Sequence, residues 1–268
     1  MYVGIIGCGA IGSEICRALD KGIEGIVLEA ISDKNPQLAY SLKDELKCKP
    51  EVASLQEMLE LVDLVVESAS QEAVREIAPT VLEKGKDLMI LSVGALVDTT
   101  FLDRLKGLAR KNRSKIYIPS GAILGVDGIQ AALISGINSV TLTTRKPPQS
   151  LREAIFVKKH GLEIEGRGKQ VVFEGPAEEA VQGFPTNVNV AATLSLAGLG
   201  FKKTKVKIIA DPTLATNIHE IDAEGNFGAF HIRVENQPCP RNPKTSYLAA
   251  LSAIATLKRI ANPLQIGT

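Results

Sequence analysis

The chain opens with Tyr2-Val3-Gly4-Ile5-Ile6, followed at once by Gly7-Cys8-Gly9-Ala10-Ile11-Gly12, and no other feature of the sequence constrains the fold so tightly. A short apolar run ending in glycine reads as a buried parallel strand. Each glycine of the GxGxxG spacing then has a physical task. Gly7 permits the tight turn, Gly9 lets the backbone approach a pyrophosphate, and Gly12 lets the next helix pack closely on the strand. Ala10 and Ile11 lie in the helix start, where free N–H groups and the positive end of the dipole meet phosphates. Asp33 closes the next apolar run, about 20 residues on, where a carboxylate accepts from a ribose 2′-hydroxyl. That carboxylate repels a 2′-phosphate and favours NAD, whereas Lys34 beside it can pair with one. The cofactor therefore reads as NAD or NADP.

The rest of the first half keeps the rhythm of the motif. Tyr2–Ile6, Gly25–Ile31, Val62–Glu67, Asp87–Leu91 and Ser114–Ile118 read as strands. Helical patterns at about 11–20, 36–46, 55–61, 71–83 and 100–111 fill the gaps. Such alternation predicts an α/β fold with a Rossmann-type, doubly wound parallel sheet over residues 1–118. Ligands of such sheets sit at the carboxyl ends of the strands, which adds Ser68 and Ala69 to the cofactor candidates and points also to Ser92-Val93-Gly94-Ala95.

After Pro119 the rhythm changes. Strands are expected at 139–145, 169–173, 204–210 and 227–235, with a helix rich in small residues over 187–200. Residues 119–240 read as an α+β substrate and catalytic domain. Within it, Ala229, His231 and Arg233 alternate with Phe230, Ile232 and Val234, so that strand should bury one face. In the last segment, 241–268, Asn242 can cap a helix with Pro243 at its first position. Tyr247, Leu251, Ile254 and Leu257 give that helix an apolar stripe, which is expected to complete the first domain.

Composition narrows the partners. Thirty-one Lys and Arg against thirty Asp and Glu leave a net charge of +1, which suggests no nucleic-acid or membrane partner. Aromatics are only 4% and Trp is absent, which argues against base-stacking surfaces. No apolar run reaches the length of a membrane span, and no basic leader precedes the first strand, so a cytoplasmic protein with a small-molecule substrate is expected. Cys8, Cys16, Cys48 and Cys239 form no CxxC pair, so no metal site is expected.

Nicotinamide chemistry usually needs a proton-transferring group, and histidine is the commonest. Three are present. His160 precedes a glycine in a polar stretch and reads as a solvated helix end. His231 is balanced between a structural and a site role. His219 sits with Thr216, Asn217 and Glu220 in an otherwise apolar, strand-like run from Asp211 to Ile221, and is the candidate catalytic residue.

Several segments together resemble the archaeal and bacterial L-aspartate dehydrogenases. They are the glycine motif, Val66-Glu67-Ser68-Ala69-Ser70-Gln71, Ser92-Val93-Gly94-Ala95-Leu96, Ser120-Gly121-Ala122-Ile123, Phe184-Pro185-Thr186-Asn187-Val188-Asn189-Val190-Ala191-Ala192, and Asp211 to His219. They run in the same order through nearly the whole chain, and the last three are far more specific than the first. One departure is Leu124-Gly125, where two glycines are expected. The resemblance implies a homodimer that oxidises L-aspartate to iminoaspartate, which hydrolyses to oxaloacetate and ammonia. It also implies a link to NAD biosynthesis through quinolinate. It makes His219 catalytic and places Ala122 and Asn189 near the nicotinamide. A dicarboxylate needs cations or N–H donors at both ends, for which Arg145, Lys146, Asn187 and Thr216 are the candidates, with Arg233 and Arg241 as further cations. The alternatives are a related two-domain amino-acid dehydrogenase or reductase acting on another substrate, and an NAD-binding regulator without turnover. Dihydrodipicolinate reductases carry a His-His pair that is absent here.

Overall fold

The computed structural model describes residues 1–164, 168–184, 189–240 and 242–267. The chain divides into two compact units: Met1–Pro119 with Ala249–Ile266, and Ser120–Leu248 with the two residues at the end.

The first unit is built in chain order from β1 (Tyr2–Ile6), α1 (Ala10–Asp20), β2 (Val27–Ser32), α2 (Pro36–Glu45), β3 (Glu51–Val52), α3 (Leu55–Leu61), β4 (Leu64–Glu67), α4 (Gln71–Glu83), β5 (Asp87–Ile90), α5 (Thr99–Asn112) and β6 (Ile116–Tyr117). The strands form a six-stranded parallel sheet in the order β3-β2-β1-β4-β5-β6. The order reverses between β1 and β4, so the loops leaving these two strands flank the crevice where such sheets bind ligands. Local side chains set the helix starts. Asn35, Ser54, Ser70 and Asp98 each accept a first-turn amide, and Ser54 with Glu57 completes a reciprocal capping box. Val3, Ile5, Ile15, Leu28, Ile31 and Leu64 form the core of this unit.

In the second unit, α6 (Val126–Ser135), β7 (Ile137–Lys146), α7 (Ile155–Lys159), β8 (Gln170–Pro176), α8 (Ala177–Gly183), α9 (Asn189–Ala197), β9 (Lys205–Ala210), β10 (Asn217–Gly225) and β11 (Gly228–Asn236) follow one another. They make a five-stranded mixed sheet in the order β11-β10-β7-β9-β8, in which β7 and β9 run parallel. Phe156, Phe173 and Phe184 cluster with ring centroids 5.2 to 5.7 Å apart, Phe156 stacked on Phe184 and Phe173 edge-on to both. Alternation along β11 leaves His231, Arg233 and Glu235 exposed and Val234 and Asn236 buried.

Two expectations need correction. Asn242 and Pro243 do not open the terminal helix. Asn242–Ser246 is instead a strand, β13, paired antiparallel with β12 (Pro238–Cys239), and the helix α10 starts at Tyr247 and runs to Ala261. The hairpin holds the Asn242-Pro243 backbone in a ladder, which overrides its local fitness as a cap. The buried Ala253 and Leu257 of α10 join the core of the first unit. Similarly, the apolar run from Asp211 is not strand throughout. The Asp211 carboxylate accepts from the Thr213 amide and hydroxyl, at 3.1 and 2.6 Å, and turns the chain before β10 begins at Asn217.

Candidate active site

The glycine loop is shaped by close contacts that tolerate no side chain. Gly7 has φ +98°, a region that favours glycine, and a Cβ there would lie 2.7 to 2.8 Å from the backbone of Ser68 and Ala69. A Cβ on Gly12 would collide with the Gly7 carbonyl oxygen and lie 2.6 Å from Ser68 Oγ. Ser68 Oγ in turn donates to the Gly7 carbonyl at 2.9 Å, tying the end of β4 to the loop after β1. Gly9 differs, because nothing lies within 4 Å of where its Cβ would be. Gly9 is also the N-cap of α1, where no side chain caps the first-turn amides and no acidic residue occupies the first turn. Open space before uncapped amides, Ala10 and Ile11 among the first residues of the turn, suits a pyrophosphate.

Asp33 lies beside this loop. Its carboxylate accepts from the Cys8 amide at 2.7 Å and the Asn35 amide at 2.8 Å. A carboxylate has about four lone-pair sites, so capacity remains for a ribose hydroxyl. Burial, aided by Asp33, pushes the Cys8 thiol up to about 12, which leaves it protonated and inert.

A buried carboxylate holds the other side of the crevice. Glu67 ends β4 fully buried and accepts from the Ala69 amide (2.8 Å), the Ser92 amide (3.0 Å) and the Ser92 hydroxyl (2.7 Å). Burial raises its pKa, and these hydrogen bonds work against that rise. Glu67 thereby fixes the turns after β4 and β5 relative to each other, placing Ser68, Ala69 and Ser92. The sequence carried a signal for this, since an acid inside an otherwise apolar buried strand demands partners.

In the second unit, the register of β10 against β7 places His219 opposite Thr144. The imidazole Nδ1 and Thr144 Oγ1 lie 3.0 Å apart, and both residues are buried. Lys146, two positions along β7, shares this face and is 5% exposed. Burial lowers the lysine to about 8. Burial, and then the charge of Lys146, push His219 down to about 3, so the imidazole is neutral at physiological pH.

A cavity of about 480 Å³ adjoins this cluster, with Lys146, Thr216, Asn217, Asn236 and Ser246 in its wall. Asn236 donates through Nδ2 to the Ala122 carbonyl at 3.1 Å, while its buried Oδ1 has no donor among the described residues. A cation, hydroxyls and amides beside a neutral imidazole can bind a small anion and move a proton at its edge.

The opposite face of the sheet carries the other charged candidates. Arg145 pairs with Glu220 at 2.8 Å, and Arg233 joins the same carboxylate at 2.5 Å and Glu235 at 2.8 Å. His231 contacts Asp222 at 2.7 Å and is exposed. His160 caps α7 in the open, with Nδ1 2.9 Å from the Phe156 carbonyl. Only His219 and Lys146 of the histidine and strand-end cation candidates therefore share the buried face. Ala122 is buried and Asn189 starts α9. Asn187 and Arg241 lie outside the described residues. Thr144 and Asn236 were not singled out as site residues from sequence, although polar Thr144 and Lys146 alternate on one face of a strand, a period-two signal.

Comparison with known proteins adds independent findings. The family described as "Aspartate dehydrogenase, C-terminal" matches residues 127–260. "Homoserine dehydrogenase, NAD binding domain" matches residues 7–119. The chain is 57% identical to L-aspartate dehydrogenase from Methanosarcina acetivorans, covering all of both chains. It is 44% identical to L-aspartate dehydrogenase from Methanothermobacter thermautotrophicus, covering 100% of this chain and 99% of that one. The crystal structure of aspartate dehydrogenase from Thermotoga maritima superposes with a TM-score of 0.74 at 31% identity, over 100% of this chain and 99% of the other.

Proposed function

Because the chain belongs to the aspartate dehydrogenase family, we propose that it oxidises L-aspartate with a nicotinamide dinucleotide to iminoaspartate, which hydrolyses to oxaloacetate and ammonia. One observation of the structure carries the reading beyond family membership. A neutral, buried His219 stands on one face with Lys146, which lines a cavity roomy enough to admit a small dicarboxylate.

The first unit holds the cofactor, with Gly7, Gly9, Ala10, Ile11 and Gly12 at the pyrophosphate, Ser68 and Ala69 at the crevice edge, and Asp33 on the ribose. Ala122 and Asn189 are assigned to the nicotinamide half. When bound, the dinucleotide supplies the two-electron acceptor for the α-hydrogen. NAD is preferred, because Asp33 repels a 2′-phosphate.

Lys146 takes a substrate carboxylate, with Thr216 and Asn187 as hydrogen-bonding partners; Arg145 is already engaged by Glu220. The substrate ammonium must lose a proton before its α-hydrogen leaves with the bonding pair. The neutral imidazole of His219 accepts that proton. In the free protein Lys146 opposes imidazolium formation, and a carboxylate on Lys146 cancels that opposition. The histidine thus becomes a stronger base when the anionic substrate is present. Once that first proton has passed on to solvent, the same imidazole, neutral again, takes a proton from the water that attacks the imine carbon.

The reading extends to a homodimer acting in the cytoplasm and to iminoaspartate supplied for pyridine nucleotide synthesis. Among the described residues no helix is long and apolar enough to cross a membrane. The test is His219→Ala. Turnover should fall about 10²–10⁴-fold with NADH affinity unchanged within about twofold. A variant that keeps its turnover removes His219 from the chemistry.

A further inference from the structure

We propose that Thr144 positions His219, its hydroxyl holding the imidazole at Nδ1 so that Nε2 exchanges the proton with substrate. This rests on the role of His219 argued above. The two residues are directly opposed in the β7–β10 ladder, and the 3.0 Å contact joins side chains that are 4% and 3% exposed. Cross-strand pairing fixes this geometry more firmly than a loop could.

The chemistry of the partner is distinctive. Histidines that exchange protons in enzymes are commonly oriented by a carboxylate, which also stabilises the imidazolium. On this face the partner is a neutral hydroxyl. Glu220, next in sequence, lies on the opposite face, bound by Arg145 and Arg233. The Ile221 and Val234 neighbours of His219 in β10 and β11 are apolar, and among the described residues Lys146 is the charge that acts on the imidazole. A threonine hydroxyl offers one donor and two acceptor sites. With Nδ1 carrying the proton it accepts from Nδ1–H, and it goes on accepting, in a stronger charge-assisted bond, once Nε2 takes a proton. Accepting at Nδ1, it holds the ring plane and leaves Nε2 free without adding a negative charge. The site keeps a neutral imidazole beside a lysine, and leaves the compensating charge to come from the substrate.

The experiment compares Thr144→Val, which keeps the shape and removes the hydroxyl, with Thr144→Ser, which keeps the hydroxyl and removes the methyl. Steady-state kinetics with L-aspartate are measured together with NADH affinity. Thr144→Val should lower kcat about 10–100-fold. KM for L-aspartate and NADH affinity should stay within about threefold of the native values. Thr144→Ser should recover kcat to within about threefold. Retained kcat in Thr144→Val overturns the proposal, and so does a Thr144→Ser variant as impaired as Thr144→Val, since packing by the methyl would then be the role. If Thr144→Val does not fold, Thr144→Ala replaces it with the same expectation and the same refutation. His219→Ala run alongside separates the two layers. Retained turnover there defeats the reading of His219 itself, whereas lost turnover there with an active Thr144→Val defeats only the positioning role.

Discussion

Two glycines of the same loop should respond to the same substitution in opposite ways. Gly9→Ala places a methyl where nothing lies within 4 Å, at φ −70° and ψ −162°, a conformation open to any residue. Alanine is a poorer N-cap than glycine, but it lowers the entropy of the unfolded chain by about 0.4–1 kcal/mol, and these effects nearly cancel. Stability should stay within about 1 kcal/mol of the parent. The methyl would nevertheless fill the space before the uncapped amides of α1, and NADH affinity should fall at least about tenfold, or about 1.4 kcal/mol. Gly12→Ala instead drives its methyl into the Gly7 carbonyl and to 2.6 Å from Ser68 Oγ. Backbone shift of that kind costs about 1–3 kcal/mol, and losing the 2.9 Å bond from Ser68 to Gly7 adds about 1 kcal/mol. Thermal unfolding of the cofactor-free variants, read with NADH titration, separates the cases. A Gly9→Ala protein that binds NADH with native affinity would refute the placement of the pyrophosphate. A Gly12→Ala protein with native melting temperature would refute the packing argument.

Three further outcomes follow from the site. Lys146→Met should raise KM for L-aspartate about tenfold or more without loss of stability, because a buried charge is replaced by an apolar chain of similar length; kinetics and a melting curve check both halves. Asp33→Ser should raise the NADP to NAD ratio of kcat/KM about tenfold by removing the charge that repels a 2′-phosphate, as measured with the two cofactors in parallel. The folded-state pKa of His219 is about 3 against 6.5 for a free imidazole, so the unfolded chain binds more protons between those values. Stability is then fully present above pH 6.5 and is lost as pH falls toward 3, by about 1.4 kcal/mol per unit. A His219→Gln protein should lack that component when the two are unfolded by denaturant at a series of acidic pH values.

The first unit was legible because its signals are local. A strand, its glycine turn and the helix after it are contiguous, and apolar periodicity alone sets their order. The second unit was legible only in part, because its site is assembled by strand register. Thr144 meets His219 across a ladder joining segments far apart in sequence, and no local pattern fixes that pairing. Likewise the two strand-end cations looked equivalent, but side chains alternate across a sheet, and register sent Arg145 to Glu220 and Lys146 to the face of His219. Asn242 and Pro243 read as a helix start because cap preferences are local, while the hairpin that claims them depends on Pro238 and Cys239. Glu67 was visible as an acid at a strand end, yet its three donors come from two separate turns.

The central claim concerns the reaction itself. The direct measurement is the appearance of reduced nicotinamide absorbance when the purified protein is mixed with NAD and L-aspartate at alkaline pH, compared with L-glutamate and L-alanine. Rapid reduction with L-aspartate and far slower reduction with the other two is the predicted result. No reduction with L-aspartate by protein that demonstrably binds NADH, or equal rates with all three amino acids, would contradict it.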